Sequence, residues 1–172
     1  MGTEIERKYL VVGEGWRAGA VGVRYRQGYL STEARATIRV RLAGEEAFLT
    51  IKGPRVGIGR PEFEYPLPPA DAAYLLDHLC RKPLIEKVRY RVPHAGRVWE
   101  VDEFLAENDG LLIAEVELDD ETQPVALPDW VGPEVSTDLR YTNAYLVEHP
   151  YNTWRDCVKD QAKMMLSSVD PA

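Results

Sequence analysis

This chain has few of the residues that disulfide scaffolds, membrane spans and nucleic-acid surfaces require. Of its 172 residues two are cysteines, Cys80 and Cys157. They lie far apart without metal-ligand spacing, which reads as two free thiols in a reducing compartment. No apolar run approaches the roughly 18 residues that cross a bilayer. Charge appears within four residues of the N-terminus, so no secretory signal is expected and a soluble, cytoplasmic protein is. A basic surplus is also missing. Twenty-one Lys and Arg stand against 28 Asp and Glu, a net charge of −7. That argues against a general nucleic-acid binder, which would be basic. There is no internal repeat and no low-complexity segment. With 45% hydrophobic and 28% charged residues, the composition is that of one globular domain large enough for a core.

What the chain does have is charge in alternation. In a β-strand, residues i, i+2 and i+4 share a face. Glu4, Glu6 and Lys8 would line one side of a first strand, with Ile5, Arg7 and Tyr9 on the other. The same grammar recurs in Arg39/Arg41, Glu62/Glu64, Lys87/Arg89/Arg91, Glu100/Asp102 and Glu115/Glu117. One such pair is an ordinary solvated strand face. A wet face on every strand would mix Ser, Thr, Gln and Lys, not repeat Arg-x-Arg and Glu-x-Glu.

Period-two patterning and turn residues predict eight strands, over 3–12, 23–31, 36–43, 47–52, 61–67, 84–92, 97–105 and 111–118. Short connections make them mostly antiparallel. The period shifts at 70–81, where apolar residues at 72, 75, 76 and 79 predict an amphipathic helix. Residues 119–136 read as an acidic, Pro-rich loop. A helical pattern occupies about 139–168, broken near Pro150. The fold class expected is mainly β: a closed eight-stranded antiparallel barrel, its polar charged face inside and a few helices covering the apolar outside. The whole chain, 1–172, reads as one domain, with 148–172 a helical extension.

Charges buried in a barrel must be solvated, paired or neutralised by a ligand. The inward cations are Lys8, Arg39, Arg41, Lys52, Lys87, Arg89 and Arg91, with Arg140 further on. The anions are Glu4, Glu6, Glu62, Glu64, Glu100, Asp102, Glu115 and Glu117. Guanidinium forks match phosphate oxygens. Paired carboxylates suit a hard divalent cation, Mg²⁺ or Mn²⁺. Together they describe a site for a metal-bound polyphosphate.

These residues resemble the CYTH family, the triphosphate tunnel metalloenzymes. Glu4-x-Glu6-x-Lys8 matches its signature. Arg39-x-Arg41, Lys52-Gly53, Glu62-x-Glu64, Lys87-x-Arg89-Tyr90, Asp102-x-Phe104, Glu115-x-Glu117 and Arg140-Tyr141-x-Asn143 follow in the family's order, from residue 3 to about 147. Within it, the short bacterial members acting on inorganic triphosphate are most similar. The resemblance implies a tunnel that hydrolyses triphosphate to pyrophosphate and phosphate. Lys8, Arg39, Arg41, Lys87, Arg89 and Arg140 would bind substrate. Glu4, Glu6, Glu62, Glu64, Glu115 and Glu117 would hold or orient the metal and its water. Tyr29 and Lys52 would form a dyad activating water, with the ammonium favouring an ionised phenol. His78, His94 and His149 match no family site. A class IV adenylyl cyclase, a thiamine or other organic triphosphatase, and a non-catalytic polyphosphate- or nucleotide-binding module remain as alternatives. The partner expected is a small triphosphate compound, with no nucleic acid or membrane, on a monomer or homodimer.

Overall fold

The structure is a computed structural model and describes residues 2–33, 35–54 and 59–156. Nine strands form one antiparallel sheet: β1 (Gly2–Val11), β2 (Gly22–Glu33), β3 (Ala36–Ala43), β4 (Glu46–Lys52), β5 (Gly59–Pro66), β6 (Ile85–His94), β7 (Arg97–Phe104), β8 (Leu112–Glu117) and β9 (Val131–Glu134). Their order is β5-β4-β3-β2-β6-β7-β8-β1-β9, and β1 also pairs with β5, through Gly2↔Glu62 to Ile5↔Gly59. Its later residues pair with β8 and β9.

Nine strands replace the eight expected. The extra one, β9, lies in the stretch read as loop. Its Gly132 and Pro133 look like turn residues, and Pro lacks a ladder donor. That is tolerated because β9 stands at the end of the sheet order, where one row of N–H groups needs no partner. Val131 and Glu134 pair with Val11 and Tyr9 across an irregularity in register.

Hairpins set much of the topology. Gly44 takes φ 61° in the β3–β4 turn, a conformation glycine adopts without Cβ strain. Gly28 has a different reason: a Cβ there would stand 2.7 Å from Cys80 Cβ and from Leu84 Cδ2. It lets the end of helix α1 (Pro69–His78) settle onto β2.

Helix α1 begins with Pro at its first position and Asp71 in its first turn, both favoured there. Ala72 and Leu76 bury against Val40, Ala47 and Cys80, covering the outside of the sheet. It stops three residues before the predicted end because Cys80 N–H turns back to Leu75 O and Arg81 N–H donates to Tyr29 O.

The helix expected over 139–168 is fragmented where it is described. Turns of 3-10 geometry at Leu139–Tyr141 and Tyr151–Thr153 flank α2 (Asn143–Glu148). The Thr142 hydroxyl accepts from Tyr145 N–H, starting a new helix. Pro150 then ends it. Residues 157–172, with Cys157 and most of the predicted extension, lie outside the described residues.

These last elements do not cover the outside, as expected, but one end of the charged face. That face is apolar there. Along alternating positions, Leu10 extends the row of Lys8 and Glu6, Ile113 that of Glu115 and Glu117, Phe104 that of Asp102 and Glu100, and Ile85 that of Lys87 and Arg89. Ile85, Phe104 and Ile113 pack with Tyr29, Tyr141, Leu146 and Val147, and Leu10, Ala144 and Trp154 join them. A second cluster, Tyr9, Trp16, Trp99, Val101 and Trp130, lies on the opposite face of β1 and β7. No described helix is long and apolar enough to cross a membrane.

Candidate active site

The charged rows converge on a cavity of about 780 Å³. Register explains the convergence. Glu6 faces Glu117 and Lys8 faces Glu115 between β1 and β8. Glu100 faces both Arg91 and Glu115. Lys52 faces Glu62, and Thr50 faces Glu64. The lining holds seven cations (Lys8, Arg39, Arg41, Lys52, Arg89, Arg91, Arg97) and six carboxylates (Glu6, Glu62, Glu64, Glu100, Glu115, Glu117). A narrow branch of about 60 Å³ shares Glu6, Lys8, Arg39, Lys52 and Asn143 and ends on Tyr29, Thr37 and Arg60.

Ion pairs hold this mixture together. Lys8 is buried between Glu6, at 2.8 Å, and Glu115. Burial alone would lower its pKa, but Glu115 and then Glu6 outweigh it and raise the ammonium above its usual range. Glu115 is the converse. Burial favours its neutral form, yet Lys8, Arg89 and Lys87 hold the carboxyl well below the ordinary range. Arg89 bonds Asp102 through Nε and Nη2, each at 2.6 Å, reaches Glu115 at 2.8 Å and also bonds Glu100. Glu64 takes Arg41 at 3.1 Å and the Thr50 hydroxyl at 2.8 Å. Lys52 Nζ stands 3.0 Å from Glu62.

Two donors are left over. Among the residues lining the cavity, Arg39 Nε and Arg41 Nε are buried donors with no acceptor. Burial and then the neighbouring Arg39 also push the Arg41 pKa down. Unpaired buried donors beside a like charge are costly, and an anion in the cavity would satisfy both.

Twelve of the residues read as inward in the sequence therefore line one cavity: Glu6, Lys8, Arg39, Arg41, Lys52, Glu62, Glu64, Arg89, Arg91, Glu100, Glu115 and Glu117. Tyr29 lies at the end of the branch, with its ring in the apolar cluster. Its hydroxyl does not titrate in the direction expected of a dyad. Burial pushes its pKa up, although Arg39, Lys8 and Arg60 oppose the shift.

Two residues assigned to substrate lie elsewhere. Lys87 is 1% exposed and sits behind Arg89, its ammonium on Asp102 and beside the Phe104 and Tyr25 rings. Parity put it on the right face, but one step deeper, where the row turns apolar. Burial and the adjacent Arg89 lower its pKa to about 8, against Asp102. Arg140 is outside the cavity, its guanidinium 2.6 Å from Asp138 and stacked over Tyr141 and Trp154. Glu4 is placed in β1 by backbone register, opposite Arg60; its side chain is outside what the structure describes.

Residues not singled out for the site also line it. Tyr25 shares parity with Tyr29 and was legible in principle. Arg60 lies between the predicted strands 47–52 and 61–67, and only the β1–β5 pairing reveals its place.

The carboxylates fit a hard cation by chemistry. Glu6 and Glu117 are directly opposed oxygen donors, with Glu115 two positions along on the same face. Among the described residues, no group of three or more His, Cys, Asp or Glu is already drawn into a metal-sized cluster. Most of the acids are paired with cations instead.

Comparison with known proteins agrees with this geometry. The CYTH domain profile matches residues 2–151. An inorganic triphosphatase of Acetivibrio thermocellus is 47% identical over 156 residues, 91% of this chain and all of that protein. The crystal structure of the inorganic triphosphatase NE1496 superimposes with a TM-score of 0.60 at 33% identity, over 83% of this chain and 96% of the other. A conserved hypothetical protein from Pyrococcus furiosus, at 15% identity, shares the fold with a TM-score of 0.53 over 69% of this chain and 80% of its own. The alternating charges, the cavity they line and these relatives give one conclusion: the chain belongs to the CYTH domain family.

Proposed function

We propose that this protein is a divalent-metal-dependent inorganic triphosphatase, cleaving triphosphate to pyrophosphate and phosphate in the cytoplasm, inside a tunnel closed by eight of its nine strands, with β9 outside the ring. The observation that carries the reading is the pair of buried, acceptor-less donors, Arg39 Nε and Arg41 Nε, in a cavity ringed by further cations. The tunnel reading is supported by the β1–β5 pairing, which joins β5, at one end of the sheet order, to the strand next to the other end.

Arg39 and Arg41 would bind phosphate oxygens bidentately or in sequence. Lys8, Lys52 and Arg89 now hold carboxylates, and would exchange them for phosphate as substrate enters. The carboxylates so released, Glu6, Glu62 and Glu115, together with Glu64 and Glu117, are those suited to Mg²⁺ or Mn²⁺, and Glu4 is a further candidate. When bound, such an ion supplies charge neutralisation at the phosphates and a place for water. Asp102 fixes Arg89 as a fork, so its orientation is set before substrate arrives. Tyr29, kept protonated by burial, serves as a hydrogen-bond donor at the end of the branch. Lys52 supplies positive charge to the phosphate beside it.

The products test the reading. Phosphorus NMR of a triphosphate digest should show one phosphate and one pyrophosphate per substrate consumed. Release of three phosphates, or no turnover with either metal, would overturn it.

A further inference from the structure

We propose that Arg60 is a positioning residue for Lys52, holding the end of β4 so that the Lys52 ammonium is presented to the substrate; its activity test rests on the triphosphatase reading. The pairing of β4 with β5 ends at Lys52↔Glu62. Beyond that point β5 turns to β1, with Arg60 opposite Glu4 and Gly59 opposite Ile5. The Lys52 and Gly53 carbonyls therefore stand at a fork between strands.

Arg60 fills the fork. Its Nη2 donates to Gly53 O at 2.9 Å, to Lys52 O at 3.3 Å and to Thr37 Oγ1 on β3 at 3.2 Å, and its Nε donates to Gly53 O at 3.2 Å. One guanidinium so ties β3, β4 and β5 at the residue whose side chain lines both the main cavity and its branch. Gly53 packs closely there: a Cβ would come within 2.9 Å of Pro61 Cγ. Its N–H already binds Pro61 O at 3.0 Å, so the strands are joined without Arg60. What Arg60 adds is the direction of the Lys52 carbonyl, and with it the direction in which that side chain leaves the strand. A planar fork can span two successive carbonyls and a hydroxyl; an ammonium is a single point and cannot.

A double-mutant cycle separates positioning from mere strand-end capping. Arg60→Met should lower kcat/KM for triphosphate by about tenfold or more in the wild-type background. In a Lys52→Ala background it should cost under about threefold, because its effect runs through Lys52. Equal losses in both backgrounds, or none in either, would overturn the proposal. If Arg60→Met does not fold, Arg60→Lys serves in the same cycle and should show the same non-additivity. If the wild-type protein does not cleave triphosphate, the functional reading falls instead, and Arg60 is judged alone by ¹³C-dimethyl-lysine NMR. The Lys52 resonance should then shift in Arg60→Lys, and an unmoved resonance would refute the positioning role.

Discussion

Glu6 and Glu117 stand directly opposite one another across β1 and β8. Like charges so placed repel. Lys8 relieves Glu6 from 2.8 Å, while the Glu117 carboxylate has no cation partner among the described residues. Glu117→Gln should therefore leave the metal-free protein as stable as wild type or slightly more so. It should also abolish most of the rise in Tm that Mg²⁺ or Mn²⁺ gives the wild type. Glu107→Gln, on the exposed turn after β7, should change neither quantity. An undiminished metal-dependent rise in Glu117→Gln would remove this pair from the metal site.

Arg39 and Arg41 make the sharpest substrate prediction. Each offers a buried Nε without an acceptor, and a charge-assisted contact contributes about 1.5–3 kcal/mol. Arg39→Ala and Arg41→Ala should each lower kcat/KM by roughly ten- to a hundredfold. Arg7→Ala, on the other face of β1 where Arg7 donates to Glu121 O, should change it less than about twofold. Comparable losses at all three positions would mean the inward parity is wrong by one residue.

Lys87 gives a pH dependence with a definite sign. Its pKa falls on folding from 10.5 to about 8, chiefly through burial and then through Arg89. Between those values the unfolded chain holds the proton more tightly than the folded one, so this site stabilises the protein increasingly as pH rises from about 8 to 10.5. The stability difference between wild type and Lys87→Met should grow in favour of wild type across that window. An NMR titration of the Lys87 ammonium should have its midpoint near 8. A midpoint in the ordinary lysine range would contradict the burial argument.

Tyr29 carries the prediction about the base. Burial raises its pKa despite Arg39, Lys8 and Arg60 nearby, so a tyrosinate is scarce at pH 8 to 9. Any alkaline rise in kcat should survive in Tyr29→Phe, with a parallel profile displaced to lower rates. A profile that flattens only in the variant would restore the ionised dyad that the resemblance implied.

Parity was what made the site legible. Arg-x-Arg and Glu-x-Glu fix which side chains share a face wherever the strand exists, and twelve residues reached one cavity on that basis. Depth was not legible. Lys87 and Arg89 differ by two positions and look alike in sequence, yet one sits behind the other where the row turns apolar. Arg140 looked available until Asp138, two residues away, proved to hold it. The ninth strand was hidden because Gly132 and Pro133 signal a turn, and only an edge position makes them compatible with a strand. Arg60 depends on a pairing between strands 55 residues apart in sequence, Ile5↔Gly59 being 54 apart and Glu4↔Arg60 being 56, which no local pattern reveals.

The most direct measurement is a steady-state substrate panel: triphosphate, pyrophosphate, ATP and thiamine triphosphate, each with Mg²⁺ and with Mn²⁺, and each repeated with a chelator. The predicted result is a kcat/KM for triphosphate at least about a hundredfold above the other three, a difference of roughly 2.7 kcal/mol in transition-state binding, and its loss when the metal is removed. Cyclic AMP formed from ATP, or a preference for an organic triphosphate, would contradict it.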